Sequence, residues 1–373
     1  MGLNILFVRR GSVAILDGIS TYILELASAL EDLGHKVYIL CGGREHANIK
    51  CYIREYTLVN NVPSIFNWGY VGYIPNPRAQ RELLEHVRRL DVDLVHFNGF
   101  IPIFANLDIP KLMTHHGISM SLNSLNRCFL LMGYKVLSPF AVHDLIITVS
   151  KKLKQELKNA VPFIGRRIVV IPPGINVEKI MAYAERDERD DIVVHVGTRL
   201  QKAPEISLMA FIRAVKKYKV SSKLVMVGEG DERLKGLIAK LPADVRSRVQ
   251  LLKPLKRMSL LKLIGRAKIL IAPSIYEAFS ILSLEAQALG TPIIASPAVP
   301  EEACIHGLTC FRVANPYNYD EFAYWMNRLL KDDDLWYKMH RNAMKFAEIY
   351  DIKRIASKIA NIYRDLVEFY DSS

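Results

Sequence analysis

Short, almost wholly apolar runs recur along the chain, separated by longer stretches in which hydrophobic residues return every three or four positions. In the first half the runs are NILFVR (4–9), KVYILC (36–41), DLVHF (93–97), KLMTHH (111–116), LIITVS (145–150) and RIVVIP (167–172). In the second half they are DIVVHVG (191–197), KLVMVG (223–228), RVQLLK (248–253), KILIAPS (268–274) and PIIAS (292–296). Runs without polar alternation are those of parallel strands covered on both faces. The stretches between them, such as ISTYILELASALEDLG (19–34) and SLMAFIRAVKKY (207–218), have the period of amphipathic helices. Strand and helix alternate twice over, which predicts an α/β protein of two doubly wound domains.

A chain of 373 residues exceeds the size at which a single core stops growing. The seam is expected at IPPGINVEKI (171–180), where two prolines and a glycine follow a strand, ahead of the charged DERDD (187–191). This divides the chain into residues 1–172 and 173–350. After Asp351 the pattern IxxIAxxIAxIYxxLVxFY predicts a last helix over 351–373. Open α/β sheets bind ligands beyond the carboxyl ends of their strands, so a crevice between two such domains is the expected site.

Composition narrows the function classes. Half the residues are hydrophobic and 24% are charged, a balance of folded domains rather than of disorder. Five cysteines, an odd number without C-x-x-C spacing, argue against a disulfide framework or a structural zinc site. The NILFV run is too short for a signal core and is followed by Arg9 and Arg10, and no apolar run reaches the ~18 residues that cross a bilayer. The expected location is cytoplasmic, compatible with a peripheral position at the inner membrane face. The net charge of +12 predicts an anionic partner. Its densest run, KKLKQELKNAVPFIGRR (151–167), reads as a solvated helix face or as a contact with an anionic membrane surface. No nucleic-acid-binding motif accompanies the charge, so nucleic acid is not an expected partner.

The candidate chemistry centres on EAFSILSLE, residues 277–285, with two glutamates eight positions apart. On one continuous helix they would stand about 80° apart around the axis and ~12 Å along it, facing different ways. A helix beginning at Ser280 instead leaves Glu277 on the preceding loop and Glu285 about a turn and a half in. The N–H groups of Ser280, Ile281 and Leu282 then lie at a helix N-terminus, where unpaired donors and the positive dipole end suit a diphosphate. VGTRLQK (196–202) brings two cations, Arg199 and Lys202, into one loop after a strand. The sequences DVD (91–93) and DERDD read as connections into strands rather than as metal sites, and VGEGDER (227–233) lacks the third glycine of a dinucleotide fingerprint.

The stretch from KILIAPSIYEAFSILSLEAQALGTPIIASP to EEACIHGLTCFRV resembles the donor-binding signature of the family-4 retaining glycosyltransferases (glycosyl transferases group 1). The likeness continues, in order, through DGISTYILELASALEDLGHKVYIL, DLVHFNGF, THHG, ITVSKKLKQEL, IPPGINVEKI, VGTRLQKAPE and VGEGDERL. It implies the GT-B fold, two Rossmann-like domains facing a central cleft, with an N-terminal acceptor domain, a C-terminal donor domain and a final helix crossing back onto the first. The implied reaction moves a sugar from a nucleotide-diphosphate-sugar to a glycan, glycolipid or small-molecule acceptor, with retained anomeric configuration and with neither metal nor bound cofactor. By resemblance Glu277 and His116 contact the transferred sugar, Arg199 and Lys202 the diphosphate, and Glu285 the ribose. Gly18 and the segment Phe279, Ser280, Ile281 and Leu282 complete the donor site.

The chain departs from the family pattern at Ala278, Ser280, Asp17 and Cys310, where glycines are usual, and the distance from Arg199 to Lys202 is short. Cys304, His306 and Cys310 are expected to be loop residues. His96 shares the ambiguity of His116 between site and core, and the aromatic loops 64–75 and 99–104 are either packing or an apolar acceptor surface. Two rival readings remain at this stage. One is a glycoside hydrolase using Glu277 and Glu285 as acid and base; the other is an inactive binding protein at a membrane surface.

Overall fold

The computed structural model describes residues 2–9, 13, 18–42, 49–50, 55–56, 58–62, 77–99, 107–117, 144–160, 167–184, 189–230 and 232–372. The aromatic loop 64–75, residues 100–104 and 161–166, Asp17, Asp187, Glu188, Cys51 and Cys128 lie outside the described residues. In chain order the first elements are β1 (Asn4–Arg9), α1 (Gly18–Asp32), β2 (Lys36–Gly42), β3 (Ile49–Lys50), β4 (Glu55–Tyr56), β5 (Leu58–Val62) and α2 (Pro77–Arg89). Then come β6 (Leu94–Asn98), β7 (Lys111–His115), β8 (Leu145–Thr148), α3 (Lys151–Ala160) and β9 (Ile168–Val170). The second series is α4 (Val177–Met181), β10 (Asp190–Val196), α5 (Pro204–Tyr218), β11 (Lys223–Val227), α6 (Glu232–Ala239), α7 (Ala243–Arg246) and β12 (Val249–Leu252). It continues with α8 (Arg257–Arg266), β13 (Ala267–Ala272), α9 (Ile281–Ala288), β14 (Ile293–Ala295), β15 (Cys310–Arg312), α10 (Tyr319–Lys331) and α11 (Asp333–Ala347), before α12 (Ile352–Asp371).

Two compact units result, Met1–Gly174 with Ile352–Ser373, and Ile175–Asp351. The first carries a parallel sheet in the order β5-β2-β1-β6-β7-β8-β9. Leu6, Val8, Val95, Phe97 and Met113 face one way and pack with Leu83 of α2. The alternate positions face α1 and α12, which pack together. Burial on both faces is why the strands read as unbroken apolar runs. α12 is tied to the sheet by polar contacts at two levels. The Tyr363 hydroxyl bonds His96 Nδ1 at 2.6 Å, and the Tyr370 hydroxyl donates to Asp144 Oδ1 at 2.9 Å. Where β9 ends, Gly174 lies so close to α12 that a Cβ would come within 2.8 Å of the Ile352 Cα.

The second unit has a parallel sheet in the order β12-β11-β10-β13-β14-β15. One face buries Val193, Leu224, Met226, Ile269, Ile271 and Ile294 under Phe211 of α5 and Phe322 and Met326 of α10. The other buries Val194, Leu270 and Ile293 under Ile264 of α8 and Leu284 of α9. Each of these side chains contributes about 1.5–3 kcal/mol by leaving water.

The strands expected from the apolar runs are present, with ends moved by a few residues. β3, β4, β5 and β15 were not anticipated. β15 corrects the reading of Cys310 as a loop residue: it starts a strand paired with β14 and is fully buried, as is Cys304. Three short residues in a run bounded by Gly307 and Pro316 give too little period to recognise. The basic run is an amphipathic helix, α3, with Leu153 and Leu157 inward, and Lys154 Nζ is held by the carbonyl of Ile168 at 2.8 Å. Among the described residues no helix is long and apolar enough to cross a membrane.

Two strand histidines, His115 and His195, are buried, and desolvation lowers the pKa of each from the ordinary 6.5 to about 4. Both are neutral in the folded protein at pH 6, whereas the unfolded chain takes up their protons. Their contribution is therefore complete above pH 6.5 and is lost as pH falls toward 4, by up to about 3 kcal/mol for each ring. Urea unfolding at pH 7, 6 and 5 is expected to show falling stability, with a shallower fall in His195→Gln; equal slopes would refute the assignment for His195. Tyr363→Phe removes one hydroxyl from a buried pair and is expected to cost about 1–3 kcal/mol in the same measurement, because the hydrogen bond to His96 Nδ1 is lost.

Candidate active site

β13 delivers the chain to its carboxyl edge at Ala272, and the segment from Pro273 to Ser280 crosses that edge before α9 begins. Ser280 is the N-cap: its Oγ accepts from the N–H of Ser283 at 3.3 Å and from the Ser283 hydroxyl at 2.7 Å. Such a cap stabilises the helix start by about 1 kcal/mol. It also leaves the N–H groups of Ile281 and Leu282 without intrahelical acceptors, at the positive end of the helix. Glu277 precedes the helix and Glu285 lies in its fifth position, so the two carboxylates belong to different elements.

The cations come from the neighbouring strand. β10 pairs with β13 and ends at Val196; the chain then turns through Gly197, Thr198 and Arg199 into a 3-10 turn, Leu200–Lys202. Gly197 has φ +98°, and a Cβ there would stand 2.9 Å from Lys202 Cγ. Glycine is thus required both by the backbone and by the path of the lysine. Lys202 Nζ reaches Glu277 Oε1 at 2.7 Å, and the Ile275 N–H donates to the Gln201 carbonyl at 2.9 Å. The structure therefore brings Lys202 and Glu277 together, joining two loops from adjacent strands. Arg199 opens the 3-10 turn and is exposed.

Beneath this loop lies His195, which the sequence reading did not single out. Its Nε2 donates to the Gly197 carbonyl at 2.6 Å, and its Nδ1 accepts from the Ser207 hydroxyl at 2.8 Å. With Nε2 as donor and Nδ1 as acceptor the ring is neutral, consistent with its lowered pKa. The one available signal was a histidine inside an otherwise apolar strand.

Glu285 is 2% exposed, and its Oε1 is in ion-pair contact with Nη2 of Arg257 at the start of α8. Arg257 was also missed, since nothing in its spacing from Glu285 marks it. A hydrolase would need the two glutamates to share one sugar, with one of them protonated. Here each is engaged by a cation of its own, which does not fit that rival.

In the first unit His116 follows β7 and is partly exposed. Its Nε2 donates to Asn98 Oδ1 at 3.2 Å, and its ring meets Tyr22 edge-on at 4.8 Å. His96 is fully buried: its Nε2 and the Tyr22 hydroxyl both reach the Thr114 hydroxyl, at 2.7 and 3.2 Å. His96 is therefore a core residue behind His116. Gly18, read as part of a glycine turn at the donor site, is exposed and opens α1. Phe279 is half-buried against Tyr350, ring centroids 6.2 Å apart. His306 Nδ1 accepts from the Arg312 N–H at 3.0 Å, and among the described residues no cluster of three or more His, Cys, Asp or Glu suited to a metal occurs.

Comparison with known proteins accords with this architecture. The family model Glycosyltransferase Family 4 matches residues 16–179, and Glycosyl transferases group 1 matches residues 176–346. An uncharacterized glycosyltransferase of Methanocaldococcus jannaschii is 26% identical over 394 aligned positions, covering 95% of this chain and 96% of its own length. A phosphatidyl-myo-inositol mannosyltransferase of Mycolicibacterium smegmatis is 22% identical, covering 93% of this chain and 89% of its own. The fold matches that of HepE from Anabaena, solved in complex with UDP-glucose, with a TM-score of 0.71 at 16% identity, over 98% of this chain and 100% of that one. The chain thus belongs to the family-4 type of GT-B glycosyltransferases, the glycosyl transferases group 1, and is a transferase enzyme.

Proposed function

We propose that the protein transfers a glycosyl group from a nucleoside-diphosphate sugar to a hydroxyl of a glycan, glycolipid or small molecule, with retained anomeric configuration and without a metal ion. The observation that carries this reading is the Lys202–Glu277 pair at 2.7 Å beside the capped N-terminus of α9. It places a cation and a carboxylate next to main-chain donors of the kind that suit a diphosphate. Arg199 and Lys202, with the N–H groups of Ser280, Ile281 and Leu282, take the charge that builds on the leaving diphosphate. Glu277 and His116 are assigned hydrogen bonds to the transferred sugar, and Glu285 to the ribose. The bond from the anomeric carbon to the diphosphate oxygen breaks, the acceptor oxygen bonds that carbon, and the acceptor's proton passes to the leaving phosphate.

The UDP-glucose of the Anabaena neighbour supports a nucleotide-sugar donor. Three described cysteines, Cys41, Cys304 and Cys310, are free thiols, which supports a reducing, cytoplasmic setting. The outward cations of α3 supply the electrostatic attraction for an anionic membrane surface, should the acceptor reside in one.

Arg199→Ala is expected to lower turnover by about 10²-fold or more, with no rescue by added Mg²⁺ or Mn²⁺. Wild-type turnover is expected to be unchanged in excess chelator. Loss of wild-type activity on chelation, measured as release of nucleoside diphosphate in an acceptor screen, would overturn the metal-free assignment.

A further inference from the structure

We propose that Arg257 is a positioning residue of the donor site: its guanidinium fixes the Glu285 carboxylate in the orientation that receives the ribose hydroxyls. The proposal rests on the ribose assignment of Glu285 and extends it to a residue on a different helix.

Glu285 is almost sealed from water, in a helix whose Leu284, Ala286 and Ala288 are fully buried. A carboxylate in such surroundings stays ionised only with a cationic partner, and a buried ion pair is commonly no more stabilising than an apolar pair of the same volume. Core packing alone would be served as well by a leucine or methionine at either position. A buried pair that adds little stability over an apolar one therefore points to a task that needs charge and direction. α8 and α9 pack together, and both begin at the carboxyl edge of the sheet, α8 after β12 and α9 after β13. That edge is where a doubly wound sheet meets its ligand. Arg257 is the first residue of α8 and its side chain is 17% exposed, so the guanidinium spans from the site edge to the buried carboxylate.

The planar fork suits this task better than an ammonium group. It holds a carboxylate in one plane, whereas lysine acts as a point charge on a mobile stem. With Oε1 in ion-pair contact with Arg257, the proposal gives the ribose hydroxyl to Oε2. Loss of the fork leaves the charge of Glu285 unaimed even where the fold survives.

The test uses isothermal titration of the full chain with four nucleoside diphosphates, UDP, GDP, ADP and TDP. The tightest-binding nucleotide is then paired with its 2′-deoxy counterpart or, if it is TDP, with its 2′-ribo counterpart. Wild type is expected to prefer the ribonucleotide by about tenfold or more, the worth of one charge-assisted hydrogen bond. Glu285→Ala and Arg257→Met are each expected to abolish that preference, and Glu285→Ala/Arg257→Met to bind no more weakly than Glu285→Ala. Arg257→Lys, which keeps the buried charge and protects the fold if the methionine variant fails to accumulate, is expected to retain only part of the preference. The preference is a ratio, so a merely destabilised protein leaves it unchanged. If Glu285→Ala loses the preference while Arg257→Lys and Arg257→Met keep it, the positioning role is wrong and the ribose assignment stands. If wild type shows no preference, the ribose assignment fails and the positioning role falls with it. Additive losses in the double variant would mean that Arg257 touches the nucleotide directly, which also overturns the proposal.

Discussion

The second unit is organised around one tie at the centre of its sheet, where Lys202 meets Glu277 and the Ile275 N–H meets the Gln201 carbonyl. β10 and β13 are neighbours, so the loops leaving their carboxyl ends emerge side by side. Without a bond across them each would be a surface loop with its own freedom. The tie removes that freedom for both at once, and the residues that depend on it follow on either side: Arg199 upstream, and Ser280 with the start of α9 downstream. His195 fixes the same loop from below through the Gly197 carbonyl. A side chain of +1 charge is thereby set close to a carboxylate and a helix N-terminus without any one of them being left to solvent to arrange.

The first unit invests in polar order of a different kind. Tyr363, His96, Thr114 and Tyr22 form an unbroken buried series, and the Tyr22 ring touches His116. An apolar core of this volume would be as stable, since a buried hydrogen bond contributes only about 1 kcal/mol net. What directional bonds add is a single arrangement, because a ring or hydroxyl that rotates leaves a donor unsatisfied. His116 stands at the exposed end of that series, on a foundation that reaches back to α12.

Much of this fold was legible because parallel strands covered on both faces must be apolar throughout, so NILFVR or KILIA can hardly be read otherwise. The elements that escaped were those in which that constraint is weak. β5 has two asparagines in five residues and lies at a sheet edge, and β15 is three residues long. At the site, Glu277, Glu285, Arg199 and Lys202 stood out because they lie in the short stretches that resemble the family's donor-binding signature. Arg257 and His195 did not, since the meaning of each lies in a partner that only folding brings near. Ser207 reaches His195 from a helix, and Arg257 reaches Glu285 across 28 positions of chain. Periodicity reports which way a side chain faces; it is silent on what waits there.

The two glutamates of EAFSILSLE also differ in the kind of cation each meets. Glu277 has a lysine, with the two side chains 26% and 11% exposed, whereas Glu285 has an arginine, with 17% and 2%. A lysine pair in partial contact with water exchanges partners at little cost, because solvent stabilises both charges when they part. A buried arginine fork does not, because separation would leave a charge without compensation. On the proposed reading this matches the two ends of the donor. The sugar end must release its bond to the diphosphate during the reaction, so Lys202 has to be free to follow the departing charge. The ribose end is the same before and after transfer, and a rigid pair is the suitable anchor for it.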